Sequence, residues 1–499
     1  MALTSEVKTG LVTAAATLAV GILTLNQALV GVFYDDGLYA GLATALGTGH
    51  GYVHPNLPGM PAAVHYPPLY PILLAPFFGA LSVNAAAIAG KILNAILSAG
   101  AVGLITWHAA KTDLLGPRIP RWVAGAVVFA AAVAIPVLAT QGVLFAEPLF
   151  GVLLAITIIT ADSVTEASSA WIAGTTAALA LLTRSIGIAV VAGAFCFLLV
   201  RRSPWCVWRA LLLPTVVAAL AWGIWVATHA NGIDTALALV YGTYSAPLSQ
   251  AGLSAIAGNV RDLSRPMEVL ALGWIPLRWL YIGLATAALG VGLYGLALLA
   301  RRSAIGFALV FYAIILAVWP YPPDRFIWVV LPWLALTWTV GAVELWRRWP
   351  RARIPVGLLC GVVAGGYLHY EFQGFSGRWW AAQARAISAN FAELLPVVQN
   401  LPDSAVVATD DEALIWLYSR RRSVPLYLES YHGRELIRPT PAEHRAYLER
   451  MGVTHVLLAS ATSPSAIELR GLIGAYPSLL TAIYRWPDGR WLFAVNRGH

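Results

Sequence analysis

The chain has 499 residues, of which 59% are hydrophobic and only 11% charged, with a mean hydropathy of +0.71. Water-soluble domains carry roughly 25% charged residues and 45–50% apolar ones, so a soluble globular protein is excluded and lipid must face much of the surface. The net charge of +8 does not indicate nucleic acid, because the arginines gather in short loops between apolar runs, where they set topology. Cys196, Cys206 and Cys360 lie in or beside apolar runs, which leaves neither a disulfide framework nor a zinc spacing.

A helix that crosses a bilayer needs about 20 largely apolar residues. Runs of that kind predict spans near 10–33, 85–108, 122–140, 147–161, 170–183, 186–200, 209–228, 278–300, 304–319, 326–345 and 354–370, about eleven in all. The first reads as a retained helix rather than a cleaved signal, since it is long and lacks a small-x-small cleavage site. The stretch Pro67–Leu81 is too short and proline-rich to span, and reads as a helix at the interface. Basic loops set the orientation. Lys111, Arg118, Arg121, Arg201, Arg202, Arg209, Arg301, Arg302, Arg347, Arg348, Arg351 and Arg353 all fall on one side of the predicted bundle. The positive-inside rule makes that side cytoplasmic, together with the N-terminus, and leaves residues 371–499 outside a plasma or inner membrane. In this outer tail, apolar runs at Ala405–Ala408, Val424–Leu428, Thr454–Leu458, Thr481–Arg485 and Trp491–Val495 predict strands. Glu412–Ser419, Pro441–Met451 and Ser465–Ile473 predict helices between them. The fold class is therefore mainly α. It combines a polytopic helical bundle over 1–370, with outer loops 34–84 and 229–277, and a small extracytoplasmic α/β domain over 371–499.

On that topology, polar residues collect on the outer side. Asp35 and Asp36, in Phe33-Tyr-Asp-Asp-Gly-Leu-Tyr39, end the first predicted span. Adjacent carboxylates either stop a helix at the interface or form a site for a general base or a cation. The loop Thr48-Gly-His-Gly-Tyr-Val-His-Pro-Asn56, continuing through Val64-His-Tyr-Pro-Pro-Leu-Tyr70, is rigid and aromatic. Its residues His54, His65 and Tyr66, with Tyr39, are candidates to cover a polar substrate rather than to ligate a metal. Glu147 opens the fourth span and is either a helix-dipole partner or part of a site. Arg184 interrupts two short apolar runs; a charge there costs about 2.5–3.5 kcal/mol on insertion scales and calls for a partner, such as a phosphate at headgroup level. Arg325, in Tyr321-Pro-Pro-Asp-Arg-Phe326, either binds a second phosphate oxygen or pairs with Asp324. The loop 229–277, with Tyr241, Tyr244, Arg261, Asp262 and Arg265, reads as a covering flap.

Four features, in order and on one side, resemble the GT-C superfamily of polyprenyl-phosphate-sugar-dependent glycosyltransferases over about residues 10–370. They are Asp35-Asp36; the loop into His65-Tyr-Pro-Pro-Leu-Tyr-Pro71; Glu147-Pro-Leu-Phe150; and Leu181-Leu-Thr-Arg-Ser-Ile-Gly187 followed by Asp324-Arg-Phe326 and Leu331-Pro332. The nearest branch is similar to the protein O-mannosyltransferases and lipid A aminoarabinose transferases. The resemblance implies Asp35 or Asp36 as the catalytic base or acceptor-positioning acid, with Arg184 and Arg325 on the lipid-linked phosphate. It implies inversion at the anomeric carbon and a sugar donor on a polyprenyl monophosphate. The acceptor stays open among protein, polysaccharide and lipid. The resemblance implies no certain cofactor: some branches hold a divalent cation on the acidic pair and the similar branch generally does not, so a cation at Asp35 and Asp36 stays open. The tail departs from the MIR module of eukaryotic protein mannosyltransferases. A transporter or flippase is the alternative, disfavoured because the ionisable residues sit at the ends of spans and no two-fold repeat is visible. A scaffold would leave the clustered acids and arginines without a role.

Overall fold

The computed structural model describes residues 3–496 apart from 245–247, 249–251, 427, 429, 433 and 434; the corresponding parts of the 229–277 flap and of the 424–428 strand lie outside the described residues. Among the described residues, five helices are long and apolar enough to cross a membrane: Ser5–Leu23 (α1), Val83–Lys111 (α4), Trp205–Gly232, Arg278–Ala300 and Pro350–Gly377. Between α1 and α4 lie α2 (Asp35–Gly47) and α3 (Leu69–Ala80), the latter where Pro67–Leu81 predicted a short helix. The predicted span 122–140 is a broken pair, α5 (Arg121–Ala132) and α6 (Ile135–Gln141), bent by 66°. Pro136 cannot donate to the carbonyl four residues back, which breaks the ladder. The amide of Ile135 is taken instead by the carboxylate of Glu371, at 3.2 Å to each oxygen. The remaining predicted spans are helices of shorter run, with α7 at Glu147–Asp162 and α8 at Ala167–Thr183, followed by Ile188–Val200, Ala304–Val318 and Leu331–Arg348. Length and composition thus support five or six of the eleven predicted spans directly.

One boundary differs in a way that matters. The first helix ends at Leu23, not near residue 33. The Thr24 hydroxyl turns back to the Val20 and Gly21 carbonyls, and Asn26 donates to the Gly142 carbonyl while receiving the Lys91 ammonium on its own carbonyl and side-chain oxygens. Asp35 and Asp36 therefore do not end the first span. They open a second helix, α2.

The chain divides into two compact units. The first comprises Met1–Asn26, Lys91–Trp222 and Leu253–Ala381, and is helical. Its helices approach closely where small residues meet: a Cβ on Gly295 or Gly341 would collide with the backbone of the opposing helix, so glycine is needed at both places.

The second unit comprises Gln27–Gly90, Gly223–Gly252 and Ala382–His499. It contains a five-stranded sheet in the order β2-β1-β5-β7-β6, built from β1 (Val406–Thr409), β2 (Arg422–Pro425), β5 (His455–Leu458), β6 (Leu480–Arg485) and β7 (Trp491–Val495), with a separate antiparallel pair β3 (Ser430–His432) and β4 (Glu435–Ile437). β1 runs parallel to β2 and β5, and β7 antiparallel to β5 and β6. The helices Glu412–Ser419, Pro441–Arg450 and Pro464–Ala475 connect these strands, so the α/β reading of the tail holds. The amphipathic helix Ala382–Gln399 buries Phe391, Leu394, Leu395 and Val398, a 3.6-residue stripe. They pack in one cluster with Val407, Leu414, Ile415, Leu457 and Leu492, and Val32 of the early loop joins the same cluster. Apolar residues just before Asp35 are thus buried against the α/β core.

Candidate active site

In the second unit the two adjacent acids have different surroundings. Asp36 is 1% exposed, and its oxygens accept from the amides of Gly31 (2.8 Å) and Phe33 (2.9 Å). It closes the loop that leads into α2. Gly31, at φ 99°, packs so tightly on Leu414 that a Cβ could not be accommodated. Asp35 is half-buried, and its Oδ1 accepts from the Tyr66 hydroxyl at 2.7 Å. Tyr34, between Phe33 and Asp35, has φ 63° and ψ −73°, and the Asp35 amide donates to the Phe33 carbonyl at 2.7 Å. This is a γ-turn of the rare, strained hand, costing about 1–3 kcal/mol and persisting only where neighbours over-determine it. Replacing Asp36 with alanine strands two amide donors, and the expected result is a loss of about 3 kcal/mol in stability, seen as a lowered thermal midpoint of the detergent-solubilised protein.

The aromatic loop assembles around Tyr66. Its ring lies 4.9 Å from Tyr39 and 4.8 Å from His65, and Tyr39 packs edge-on to Tyr70 at 5.1 Å. His65 is buried, with Nδ1 2.8 Å from the Gly242 carbonyl; burial lowers its basicity. His54 is 1% exposed and edge-on to Tyr241 at 4.7 Å. Both its ring nitrogens lack a hydrogen-bond partner among the described residues, and burial, followed by the nearby His65, pushes its pKa down to about 3. A folded pKa depressed below the unfolded 6.5 means that stability present above pH 6.5 is lost as pH falls from 6.5 toward 3. His54→Phe, which keeps the ring contact, should flatten that acid limb and raise the melting temperature at pH 5 more than at pH 7.5.

Beside these lies a group that sequence reasoning passed over. Glu412, at the start of its helix and 0% exposed, accepts from the Tyr241 hydroxyl at 2.5 Å. Tyr241 in turn accepts from Asn56 Nδ2 at 2.9 Å. The buried Tyr34 hydroxyl interacts with the same carboxylate. Burial pushes Glu412 up to about 7, against the lowering effect of the two tyrosines. Asp411 is also raised, first by burial and then by Asp410, Glu412 and Asp36. The signal available in the sequence was the run Asp410-Asp411-Glu412 directly after an apolar strand, since the carboxyl ends of parallel strands are where α/β folds place polar sites.

In the first unit a second constellation forms. Glu147, the first residue of α7 and 3% exposed, has Oε1 2.5 Å from Arg184 Nη1 and 3.2 Å from Arg325 Nε. Arg184 lies over the Phe326 ring at 4.8 Å and Arg325 over the Phe145 ring at 4.4 Å. Glu147 also borders a largely apolar cavity with Gln141, Pro148, Trp328 and Trp333. Two guanidinium groups share one carboxylate. Asp324 takes Arg265 at 2.6 Å. Lys91, buried in α4 and bonded to Asn26, is a further intramembrane charge overlooked in the sequence, and such residues are functional candidates by default.

No family model matches the chain, and no curated protein matches it. Solved structures do. ArnT from Cupriavidus metallidurans in the apo state aligns over 97% of each chain with a TM-score of 0.53 and 15% identity. The Archaeoglobus fulgidus oligosaccharyltransferase solved with Zn and sulfate aligns over 98% of this chain and 73% of its own, with a TM-score of 0.55 and 14% identity. The same organism's AglB, in complex with an inhibitory peptide and a dolichol-phosphate, aligns over 98% and 74% with a TM-score of 0.51 and 14% identity. ArnT, a lipid A aminoarabinose transferase, and AglB are GT-C superfamily members. At these identities the likeness establishes the fold: this chain is a multi-pass membrane protein of GT-C architecture with a C-terminal α/β domain. As for the zinc of that neighbour, no cluster of three or more His, Cys, Asp or Glu side chains here could hold a metal ion among the described residues. Asp36 accepts from two backbone amides, and the zinc of that neighbour is compatible with a divalent cation in this fold.

Proposed function

We propose that this protein transfers a sugar from a polyprenyl-phosphate-linked donor to an acceptor hydroxyl on the extracytoplasmic face, with inversion at the anomeric carbon. The observation that carries the reading is the Arg184–Glu147–Arg325 cluster. Two partly desolvated guanidinium groups gathered at one carboxylate place several cationic donors side by side, the arrangement that recognises a phosphate, and the dolichol-phosphate of the AglB neighbour supplies an anion of the right class. The cluster suits the developing charge of the reaction. As the bond between C1 and the phosphate oxygen breaks, its electron pair stays on that oxygen and a phosphodiester monoanion becomes a lipid monophosphate. Arg184 and Arg325 neutralise that added charge.

Asp35 is the base. Its carboxylate takes the acceptor proton as the hydroxyl oxygen bonds to C1 from the face opposite the leaving phosphate. Tyr66 fixes its rotamer, while Tyr39, His65 and the aromatic loop line the acceptor's approach. Asp36 is the residue that holds the loop, and no step is routed through a metal. In this reading residues 1–370 form the membrane domain, 371–499 the extracytoplasmic domain, and the N-terminus is cytoplasmic. The test is a membrane assay with radiolabelled undecaprenyl-, decaprenyl- and dolichyl-phosphate sugars and endogenous acceptors. Label is expected in a protein, polysaccharide or lipid fraction only when the chain is expressed. Absence of transfer from every donor rejects the reading.

A further inference from the structure

Glu412 belongs to the C-terminal α/β segment, far in sequence from the loop that carries Asp35, yet three facts bind it to that loop. Its helix packs on the loop, with Leu414 filling the space that a side chain at Gly31 would need. Its carboxylate is hydrogen-bonded by Tyr241, which is itself bonded by Asn56. The third link is Tyr34. The Tyr34 hydroxyl is buried and Glu412 Oε2 is buried, neither has a hydrogen-bond partner of full geometry among the described residues, and the two groups interact. Tyr34 is the strained centre of the γ-turn immediately before Asp35. A residue in that conformation relaxes unless something holds both its backbone and its side chain. Asp36 holds the backbone before the turn, through the amides of Gly31 and Phe33. The remaining anchor must act on the Tyr34 side chain.

We propose that Glu412 is a positioning residue, which by engaging the Tyr34 hydroxyl holds the strained turn that sets the direction of the Asp35 carboxylate. The proposal rests on Asp35 being the reacting acid, and it gives the C-terminal segment a part in catalysis. An ionised Glu412 accepts from Tyr34 and Tyr241 together, whereas the protonated acid carries a proton of its own that needs an acceptor. The groups facing it are Tyr34, Tyr241 and Tyr447 from other elements and Asp410 and Asp411 from its own approach. None is cationic, which agrees with a carboxyl that ionises only near pH 7.

The experiment uses the full-length protein in lipid nanodiscs, with Glu412→Ala, Glu412→Gln and Tyr34→Phe. Two readouts are taken: amide exchange of peptides covering residues 29–38, and single-turnover transfer from pH 5.5 to 8.5 with whichever polyprenyl-phosphate sugar proves active. Glu412→Ala and Tyr34→Phe should speed exchange of the 29–38 segment at least about tenfold while strands β1 and β5 stay protected. Misplacement of a reacting group by about 1 Å costs up to about a hundredfold in rate. Turnover should therefore fall between about tenfold and about a hundredfold, with the KM for donor within about twofold of the parent. Glu412→Gln, whose amide protons also need acceptors, should behave like the protonated acid, with exchange of the 29–38 segment faster than in the parent and no rate change near pH 7. Unchanged exchange in both Glu412→Ala and Tyr34→Phe overturns the proposal, as does a loss of protection spread evenly over the sheet. If Glu412→Ala does not fold, Tyr34→Phe decides. If no donor is active, the functional reading fails, and the exchange data still judge the clamp.

Discussion

Asp35→Asn should slow sugar transfer by at least about a hundredfold and as much as about ten-thousandfold, the range that general-base removal spans, while the protein still inserts and melts like the parent. The substitution keeps the volume and an oxygen to accept from Tyr66, now bonded at 2.7 Å. What it removes is the capacity to take a proton. The neighbouring Asp36→Asn should behave in the opposite way. It leaves the base in place and weakens the loop, because one of the two amide bonds at Gly31 and Phe33 loses its carboxylate oxygen. Tyr66→Phe should fall between them: Asp35 keeps its charge and loses an orienting donor, so rate drops modestly with no loss of fold. Single-turnover rates with a radiolabelled donor, set beside thermal midpoints, separate the three. A parental rate in Asp35→Asn would remove the acid from the mechanism.

The bundle was legible because lipid-facing helices must be apolar throughout and their ends carry the arginines. Run boundaries read from hydropathy fall within a few residues of helices such as Val83–Lys111 and Arg278–Ala300. The same measure misread residues 24–33. Leu29, Val32 and Phe33 are as apolar as a membrane helix, but they pack wholly or partly buried against the α/β core, and hydropathy does not separate protein burial from lipid burial. That single ambiguity placed Asp35-Asp36 at the end of α1 instead of the start of α2. The site shows a similar limit. Nothing in the letters Asp-Asp distinguishes a carboxylate that closes a loop from one that meets an aromatic hydroxyl, because the difference lies in where the amides of Gly31 and Phe33 point. Glu412 read as an ordinary acid at a helix start, since its partners Tyr34 and Tyr241 come from segments several hundred and nearly two hundred residues away in the chain. The Arg184–Glu147–Arg325 cluster was legible only as isolated charges in apolar surroundings, each demanding a partner. That Glu147 serves both arginines follows from the structure alone.

Charge and geometry at that cluster can be separated by Arg184→Gln and Glu147→Gln. Arg184→Gln deletes a cation whose Nη1 lies 2.5 Å from Glu147 Oε1. The buried carboxylate is left to Arg325, which is half-buried and 3.2 Å away. The cluster loses one positive charge, so its attraction for a phosphate weakens. One charge-assisted hydrogen bond is worth about 1.5–3 kcal/mol, so binding of undecaprenyl phosphate should weaken about tenfold to about a hundredfold. Glu147→Gln changes the sign of the argument. The cluster loses its negative charge, and both guanidinium groups are released from Glu147 toward an anion. Binding of the same lipid phosphate should hold or tighten. Turnover should still fall, because the arginines are no longer pinned in one geometry and a tightly held product phosphate leaves slowly. Displacement of radiolabelled undecaprenyl phosphate from the nanodisc-embedded protein reads the affinity, and single-turnover against steady-state rates reads the release step. Equal weakening by both substitutions would make Glu147 a ligand-binding group in its own right. No weakening by Arg184→Gln would return the cluster to a structural ion pair. Opposite effects on affinity, with slower turnover in both, are what an anion site held in shape by its own carboxylate requires.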